Sequence, residues 1–488
     1  MGAMAEHIFQ HKPQTLDEAL EVIEEARKLI QAQGLIIREL QDSGTHLLAR
    51  VAELEEQLRL SSRNSSKPPS GDGPGAGGKQ QKTPGPEKGQ RKPGGQPGHT
   101  GHHREASREP DTVVMLPPPS RCPCGGEIRD VDTEPAARHQ LWEIPPPAAQ
   151  VTEYRRYAGR CSCCDRRITA PLPPEVPEGM LGPRAQSMVG MLTGAYRLSI
   201  RQTQQLIAEW FGLDVSVGVL SGTQVAIGKT LAAPMAEIAA AARQAAVVHI
   251  DETGYPQQRE RGWLWTLITP EVSLFRLQPQ RTRAVALDLL GEQYGGIVIS
   301  DRYTVYDYLP NDQRQVCWAH LLRDFQRIAE RPGEAGAIGE RLLSYGRQTF
   351  KILHAHEAGS LSDEGYHALL SPLRRLVHLE LEAGKEGDHA PTANTCERLL
   401  KLEPALWTFT LNEAVEPTNN AAEQALRPAV IKRKLSFGTR SKAGATFLER
   451  FLSVAATCRK QGKNLLDYLH ATLHADIKGQ PPPPLLSG

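Results

Sequence analysis

Residues 247–330 predict a ribonuclease-H-like α/β core, and three observations carry the prediction. First, residues 247–250 (VVHI), 262–269 (GWLWTLIT) and 273–277 are successive strand-like runs, the last two separated by Pro270-Glu271, the cadence of an antiparallel meander. Second, residues 282–290 read as a helix, 297–300 (after Gly295-Gly296) as another buried strand, 313–317 as a fifth strand and 319–330 as a helix. Third, both short buried strands run out at a carboxylate, Asp251 and Asp301.

The chain has 488 residues, enough for several further units. We expect a coiled-coil helix at 1–60, a disordered basic linker at 61–110, a zinc ribbon at 111–175 and a helical, helix-turn-helix-like domain at 176–246. After the first part of the core come a helical insertion at 331–415, a core helix at 416–440 and a C-terminal helical element at 441–488 whose tail, from Gly479 onward, is Pro-rich and loose. Net charge is only +1, but it is unevenly spread. Residues 1–60 hold 6 Lys/Arg against 11 Asp/Glu, residues 61–110 hold 9 against 4, and residues 427–463 hold 10 against 1. An acidic head therefore masks two basic tracts. No apolar run approaches a membrane span and no signal peptide opens the chain, so a soluble, cytoplasmic protein is expected.

Ile30, Ile37, Leu40, Leu47, Val51, Leu54 and Leu58 occupy a and d heptad positions, interrupted by Gln33 and Gly44. They fit a self-associating coiled coil or an amphipathic helix packed on its own chain. The Gly/Pro/Ser/Lys-rich stretch from Ser61 has almost nothing apolar to bury and reads as disordered. Its cations, Lys92 among them, can line phosphates when a polyanion is present.

Five of the eight cysteines fall between 122 and 164. Cys122 and Cys124, with Cys161 and Cys164, bracket alternating segments at 140–143 and 150–157, the pattern by which a ribbon gathers four thiolates around Zn²⁺. Cys122-Pro-Cys124 is one residue tighter than the usual knuckle, and Cys163 is an alternative ligand. Residues 202–211 and 217–229, with Ser216 as N-cap, have a helix-turn-helix cadence that ordinary helical bundles share.

Asp251 alone also reads as the start of a turn. Paired with Asp301, and with Glu423 returning on the helix of NNAAEQAL, it becomes one of three hard oxygen donors suited to Mg²⁺ or Mn²⁺. Arg427, Lys432, Arg433, Lys434 and Arg440 follow Glu423 and can hold phosphates near such ions. His249 shares Asp251's side of the strand without an evident role, and Glu252 faces the other way as a structural residue.

These segments resemble the IS66 family of insertion-sequence transposases over nearly the whole chain. The likeness rests on NSSKPPS, KPGGQPGHTGH, the cysteine pairs, HIDETG, SDRYTVYD, CWAHLLRDF, TNNAAEQALRP and KQGKNLLDYL, in that order. It implies an acidic triad at Asp251, Asp301 and Glu423, with Cys317 and His320 as a Cys-x2-His signature in which His320 is auxiliary. Gln424 departs from the family's usual Arg, and Cys122-Pro-Cys124 from its usual knuckle. The resemblance further implies cleavage of element ends, joining of the 3′-hydroxyl to target DNA, double-stranded DNA as partner and a homodimer or larger synaptic assembly. It also implies small accessory proteins and action at the bacterial nucleoid. A catalytically idle DNA-binding derivative and a structure-selective nuclease are the alternatives.

Overall fold

The computed structural model describes residues 15–58, 60, 64, 107, 109–129, 134–145 and 147–486. Most of the expected basic linker, including Lys92, lies outside them. Helix α1 (Leu16–Leu58) is followed by strands β1 (Ala158–Arg160) and β2 (Arg167–Thr169), then α2 (Pro183–Gly190), α3 (Ile200–Phe211), α4 (Val217–Thr230) and α5 (Ala232–Gln244). Next come β3 (Val247–Gly254), β4 (Trp263–Ile268), β5 (Ser273–Gln278), α6 (Arg283–Leu290), β6 (Ile297–Ser300) and β7 (Arg314–Val316). Helices α7 (Trp318–Ala329), α8 (Gly333–Glu357), α9 (Asp363–Glu386), α10 (Ala390–Lys401) and α11 (Glu403–Leu406) lead to α12 (Asn420–Ser436), α13 (Lys442–Lys460) and α14 (Leu465–Ile477). The fold is mixed α/β and mainly helical. It divides into two compact units: one holds the described residues up to 64 with Ile297–Asn419, the other those from 107 to Gly296 and from Asn420 onward.

In the second unit, α3 begins with a capping box. Ser199 accepts the Gln202 N–H while the Gln202 side chain accepts the Ser199 N–H, and Gly212 closes the helix at φ +64°. Ser216 then caps α4 as expected. Leu181, Val189, Leu192, Ile207, Val215 and Leu220 form the core of this helical segment. Strands β3, β4 and β5 make the antiparallel meander, with His249 opposite Ile268 and Trp263 opposite Gln278. One expectation needs correction: β3 does not end at Asp251 but stays paired through Gly254, opposite Trp263. The extension is possible because Glu252, buried on the core side, is met by Arg281 at 2.6 Å, so the carboxylate does not end the ladder. Helix α12 likewise runs on to Ser436 despite Pro428. Leu426 and Ala429, on either side of that proline, are buried with Tyr255, Leu264, Phe275 and Leu448, and this packing outweighs the lost backbone bond.

The edge of the meander is sealed by one face of α13. Ser453 accepts the Phe275 N–H at 2.8 Å, Thr457 the Ser273 N–H at 3.1 Å and Glu449 the Leu277 N–H at 3.1 Å. The four-residue spacing of 449, 453 and 457 along a helix matches alternate outward amides on β5. Burial raises the Glu449 carboxyl pKa above its ordinary value. One turn on, Lys460 donates to the Thr269 and Val272 carbonyls, and burial pushes its pKa down to about 8.

The alternating segments at 140–143 and 150–157 do not form strands; the paired strands of this region are the short antiparallel β1 and β2. Consecutive prolines between the two segments remove ladder donors, and Gln140 instead exchanges two 2.8 Å hydrogen bonds with the Ser107 backbone. The tail beyond Gly479, expected to be loose, is docked. Leu485 is buried, Glu237 accepts the Leu485 and Leu486 amides at 3.1 and 2.9 Å, and Lys463 donates to Pro484.

In the first unit, β6 and β7 pair in parallel, with Val298 opposite Arg314 and Ser300 opposite Val316. The expected insertion is helices α8–α11. It folds back so that Thr408 donates to the Arg314 carbonyl at 2.6 Å and Gln315 accepts the Phe409 N–H at 2.9 Å. Trp318 packs edge-on against Trp407 at 4.9 Å, and its indole donates to Leu406. At Gly339, where α8 crosses α7, a Cβ would stand 2.2 Å from the Ala329 nitrogen, so only glycine fits. Helix α1 spans about 65 Å at 1.5 Å per residue, and Ile30, Ile37, Leu40, Leu47 and Val51 are all exposed along it. No single helix among the described residues is long and apolar enough to cross a membrane.

The edge seal has a measurable consequence. Ser453→Ala strands the buried Phe275 amide and is expected to cost about 1–3 kcal/mol, read as a lower urea midpoint for unloading the α13–β5 contact. An unchanged midpoint would show that the seal is dispensable.

Candidate metal centre and nucleic-acid interface

In the first unit, the chemistry gathers where β6 runs out. Asp301 follows Ser300 directly, and its Oδ1 accepts the Tyr303 N–H at 2.9 Å, which fixes the carboxylate's orientation. Beneath it lies Arg314, fully buried on β7. Its guanidinium donates to the Asp301 carbonyl at 3.0 Å, to Ser300 Oγ at 3.3 Å and to Asp307 at 3.0 Å, and sits 5.9 Å from the Tyr306 ring centroid. A buried guanidinium must spend its donors in this way, and doing so fixes the strand end. The parallel ladder extends one step beyond β7: the Cys317 amide donates to the Ser300 carbonyl at 2.8 Å. Cys317 is also the N-cap of α7, whose first turn carries His320. The Cys317 sulfur accepts the Asn419 N–H at 3.1 Å. Deeper in α7, Asp324 accepts from both Arg302 and Arg327, tying the residue after Asp301 to that helix.

The second unit holds the other two candidate acids. Asp251 lies within β3 opposite Thr266, on the same face as His249, and its Oδ1 accepts the Glu252 N–H at 2.9 Å. Glu423 lies in the first turn of α12, which packs on β3 and β4. Glu252 is structural as expected: Arg281 binds it and lies 5.0 Å from the Trp263 ring centroid.

The five cations after Glu423 have different fates. Arg427, Lys434 and Arg440 are exposed. Arg433 reaches Thr253 Oγ1 at 3.2 Å and the Gly254 carbonyl, pinning α12 to the end of β3. Lys432 turns inward and donates to the Thr193 carbonyl at 2.6 Å; burial, helped by nearby Arg197, pushes its pKa down to about 8. The sequence reading missed Arg314 altogether; an Arg at the head of the short strand expected at 313–317, with SDRYTVYD seven residues upstream, is the signal that points to it.

The cysteines form two separate turns. The Cys122 N–H donates to the Gly126 carbonyl and the Gly125 N–H to the Cys122 carbonyl, each at 2.8 Å. Cys161–Arg166 closes likewise at the tip of β1–β2, with 2.9 Å bonds both ways between 161 and residues 165 and 166. The Gly126 amide, then the Cys122 thiol, hold the Cys124 thiol pKa below its ordinary value. Backbone amides of Cys164 and Cys163, then the Cys164 thiol, do the same for Cys161. In each pair one thiol is thus biased towards the thiolate form that zinc binds. Among the described residues, no three of these sulfurs lie within 4.8 Å of one another. The donor chemistry fits zinc, while the two turns stand as separate half-sites.

Comparison with known proteins adds the family. The profile described as "Transposase IS66 family" matches residues 178–447, more than half of the chain, and the profile of a family of unknown function matches residues 11–105. Two relatives come from Sinorhizobium fredii (strain NBRC 101917 / NGR234). "Uncharacterized protein y4qI" is 27% identical over 266 residues, 48% of each chain. "Uncharacterized protein y4hP" is 25% identical over 384 residues, 71% of this chain and 68% of the relative. The chain thus spans about half the length of the first relative. With a match across both the helical segment and the residues that carry all three acids, the chain belongs to the IS66 family of transposases.

Proposed function

We propose that this transposase cuts the ends of an insertion sequence and joins the freed 3′-hydroxyl to target DNA, using a ribonuclease-H-like core. Asp251, Asp301 and Glu423 are its metal-holding acids. The observation that carries this reading is a pair of hydrogen bonds. The Cys317 amide is bound to Ser300, the residue before Asp301, and the Cys317 sulfur is bound to Asn419, the residue before the helix of Glu423. Two short links therefore run from the strand end of the second acid, through Cys317, to Asn419. Carboxylate oxygens are the donors that Mg²⁺ and Mn²⁺ take. Two such ions, when bound, activate the attacking oxygen of a phosphoryl transfer and stabilise the leaving one.

The chain's own residues orient this set. Tyr303 and Arg314 hold Asp301, the Glu252 amide holds Asp251, and Arg433 ties the helix of Glu423 to the strand of Asp251. His320, one turn after Cys317, is auxiliary. Arg427, Lys434 and Arg440, with Lys92 of the linker, hold phosphates of double-stranded DNA. The cysteine turns hold one structural zinc through Cys122, Cys124, Cys161 and Cys164. The exposed heptad stripe of α1 joins two copies so that two DNA ends meet, and small accessory proteins of the same element complete the assembly at the bacterial nucleoid.

Three measurements test this. With terminal-repeat DNA and Mg²⁺, Asp301→Asn should lower strand joining by about a thousandfold or more while leaving DNA binding intact; joining at the wild-type rate sinks the triad. A wild type that binds DNA but joins no strands would instead support the idle derivative. Each phosphate contact contributes about 0.9 to the slope of log affinity against log salt. Lys434→Met should therefore flatten that slope by about one unit, whereas Lys432→Met, already engaged with Thr193, should leave it unchanged. For zinc, metal analysis of the full-length chain should find about one ion per chain, lost in Cys161→Ser and kept in Cys163→Ser; the opposite pattern reassigns the fourth ligand.

A further inference from the structure

The turn that ends α12 presents an aromatic side chain in a conformation that costs energy and serves no internal packing. Phe437 has φ +56° and is 82% exposed. Helices commonly end in a left-handed residue, but that residue is usually glycine, and a bulky residue there is an outlier. Such strain persists only where surrounding structure imposes it. Here it does. The Phe437 amide donates to the Arg433 carbonyl at 2.7 Å, and the Ser436 hydroxyl donates to the Lys432 and Gly438 carbonyls. Gly438 follows at φ +100°, where any Cβ would stand 2.2 Å from the Pro256 carbonyl oxygen.

A second loop braces this turn. Residues 256–262 connect β3 to β4, and the loop pairs with Thr439: the Thr439 N–H donates to Pro256 at 3.1 Å and the Gln258 N–H to Thr439 at 2.7 Å. Gln258 and Arg259 are themselves left-handed, at φ +50° and +70°. The two paired loops and their flanks carry the exposed apolar residues Phe437 and Leu435 together with exposed Arg259, Arg261, Lys434, Arg440 and Lys442, and Glu260 is the one acid among these charged residues. The root of the loops is the end of β3, held by Arg433. Asp251 lies three residues back along that strand, about 10 Å at 3.3 Å per residue.

We infer that this pair of loops is a base-stacking finger: Phe437 stacks on an unpaired or unstacked base of DNA while the exposed cations hold the flanking phosphates. An exposed ring beside a polyanion-binding rim is the combination that grips single-stranded and distorted DNA, since every base offers a π-face and every phosphate a charge. A purely structural turn would carry glycine at 437 and lose nothing. The inference rests on the DNA-binding reading above and adds to it the form of DNA recognised near the reacting phosphate.

The test uses the full-length chain and two short duplexes of one sequence, one fully paired and one with a central unpaired bubble carrying a fluorescent purine analogue. The wild type should bind the bubble about tenfold tighter than the paired duplex and quench the analogue. Phe437→Gly should bind the paired duplex as before, lose both the preference and the quenching, and melt about 2 °C higher because glycine accepts the left-handed backbone without strain. Phe437→Trp should keep the preference. If Phe437→Gly retains the full preference, or the wild type shows none while binding both duplexes, the finger is overturned and DNA binding stands. If the wild type binds neither duplex, the finger and the DNA-binding reading fall together.

Discussion

The buried guanidinium of Arg314 is the constraint on which the first unit's chemistry depends. A fully desolvated cation costs several kcal/mol unless its donors are met, and here they are met by Ser300, the Asp301 carbonyl and Asp307. Every one of those partners belongs to the segment that carries the candidate metal ligand. The charge therefore acts as a jig: the backbone of Asp301 cannot wander without stranding a buried cation. Its Oδ1 is then aimed by the Tyr303 amide. In the second unit Glu252 and Arg281 play the converse part, a buried anion answered by a half-buried cation, and they keep β3 straight through Asp251.

Much of this was legible in the sequence because local signals agreed with the fold. The Ser216 cap, the strand-like runs of β4 and β5 parted at Pro270-Glu271, and the Gly-Gly entry to β6 each specify their element by chain chemistry alone. The misses share one cause, a tertiary partner far away in sequence. Strand β3 looked as if it ran out at Asp251 because its partner β4 lies beyond a loop. The alternation at 140–143 looked like a strand because nothing in it reveals that Gln140 is committed to Ser107. The tail looked loose because the carboxylate that captures it is Glu237, more than two hundred residues upstream. The chemistry-bearing residues of the candidate site were recognisable as types at strand and helix ends, whereas Arg314 and Phe437 were not: one is a charge where apolar residues are expected, the other a ring where glycine is.

The basic tract after Glu423 shows why charge counting is a coarse guide. Of its five cations, Lys432 and Arg433 are used to fasten α12 to its own unit, and three remain exposed. The exposed charge of this tract is thus smaller than its sequence advertises, and Arg259 and Arg261 on the 256–262 loop are exposed cations that the tract itself does not count.

The Glu237 clasp carries a mechanical implication of its own. One carboxylate receives two successive amides while Leu485 fills the space behind them, so the last segment behaves as a drawstring across α5 and α14. Pulling it out removes an apolar plug and bares a carboxylate in the same motion. Resistance of residues 480–486 to proteolytic cleavage is therefore a direct gauge of whether the second unit's helices remain assembled.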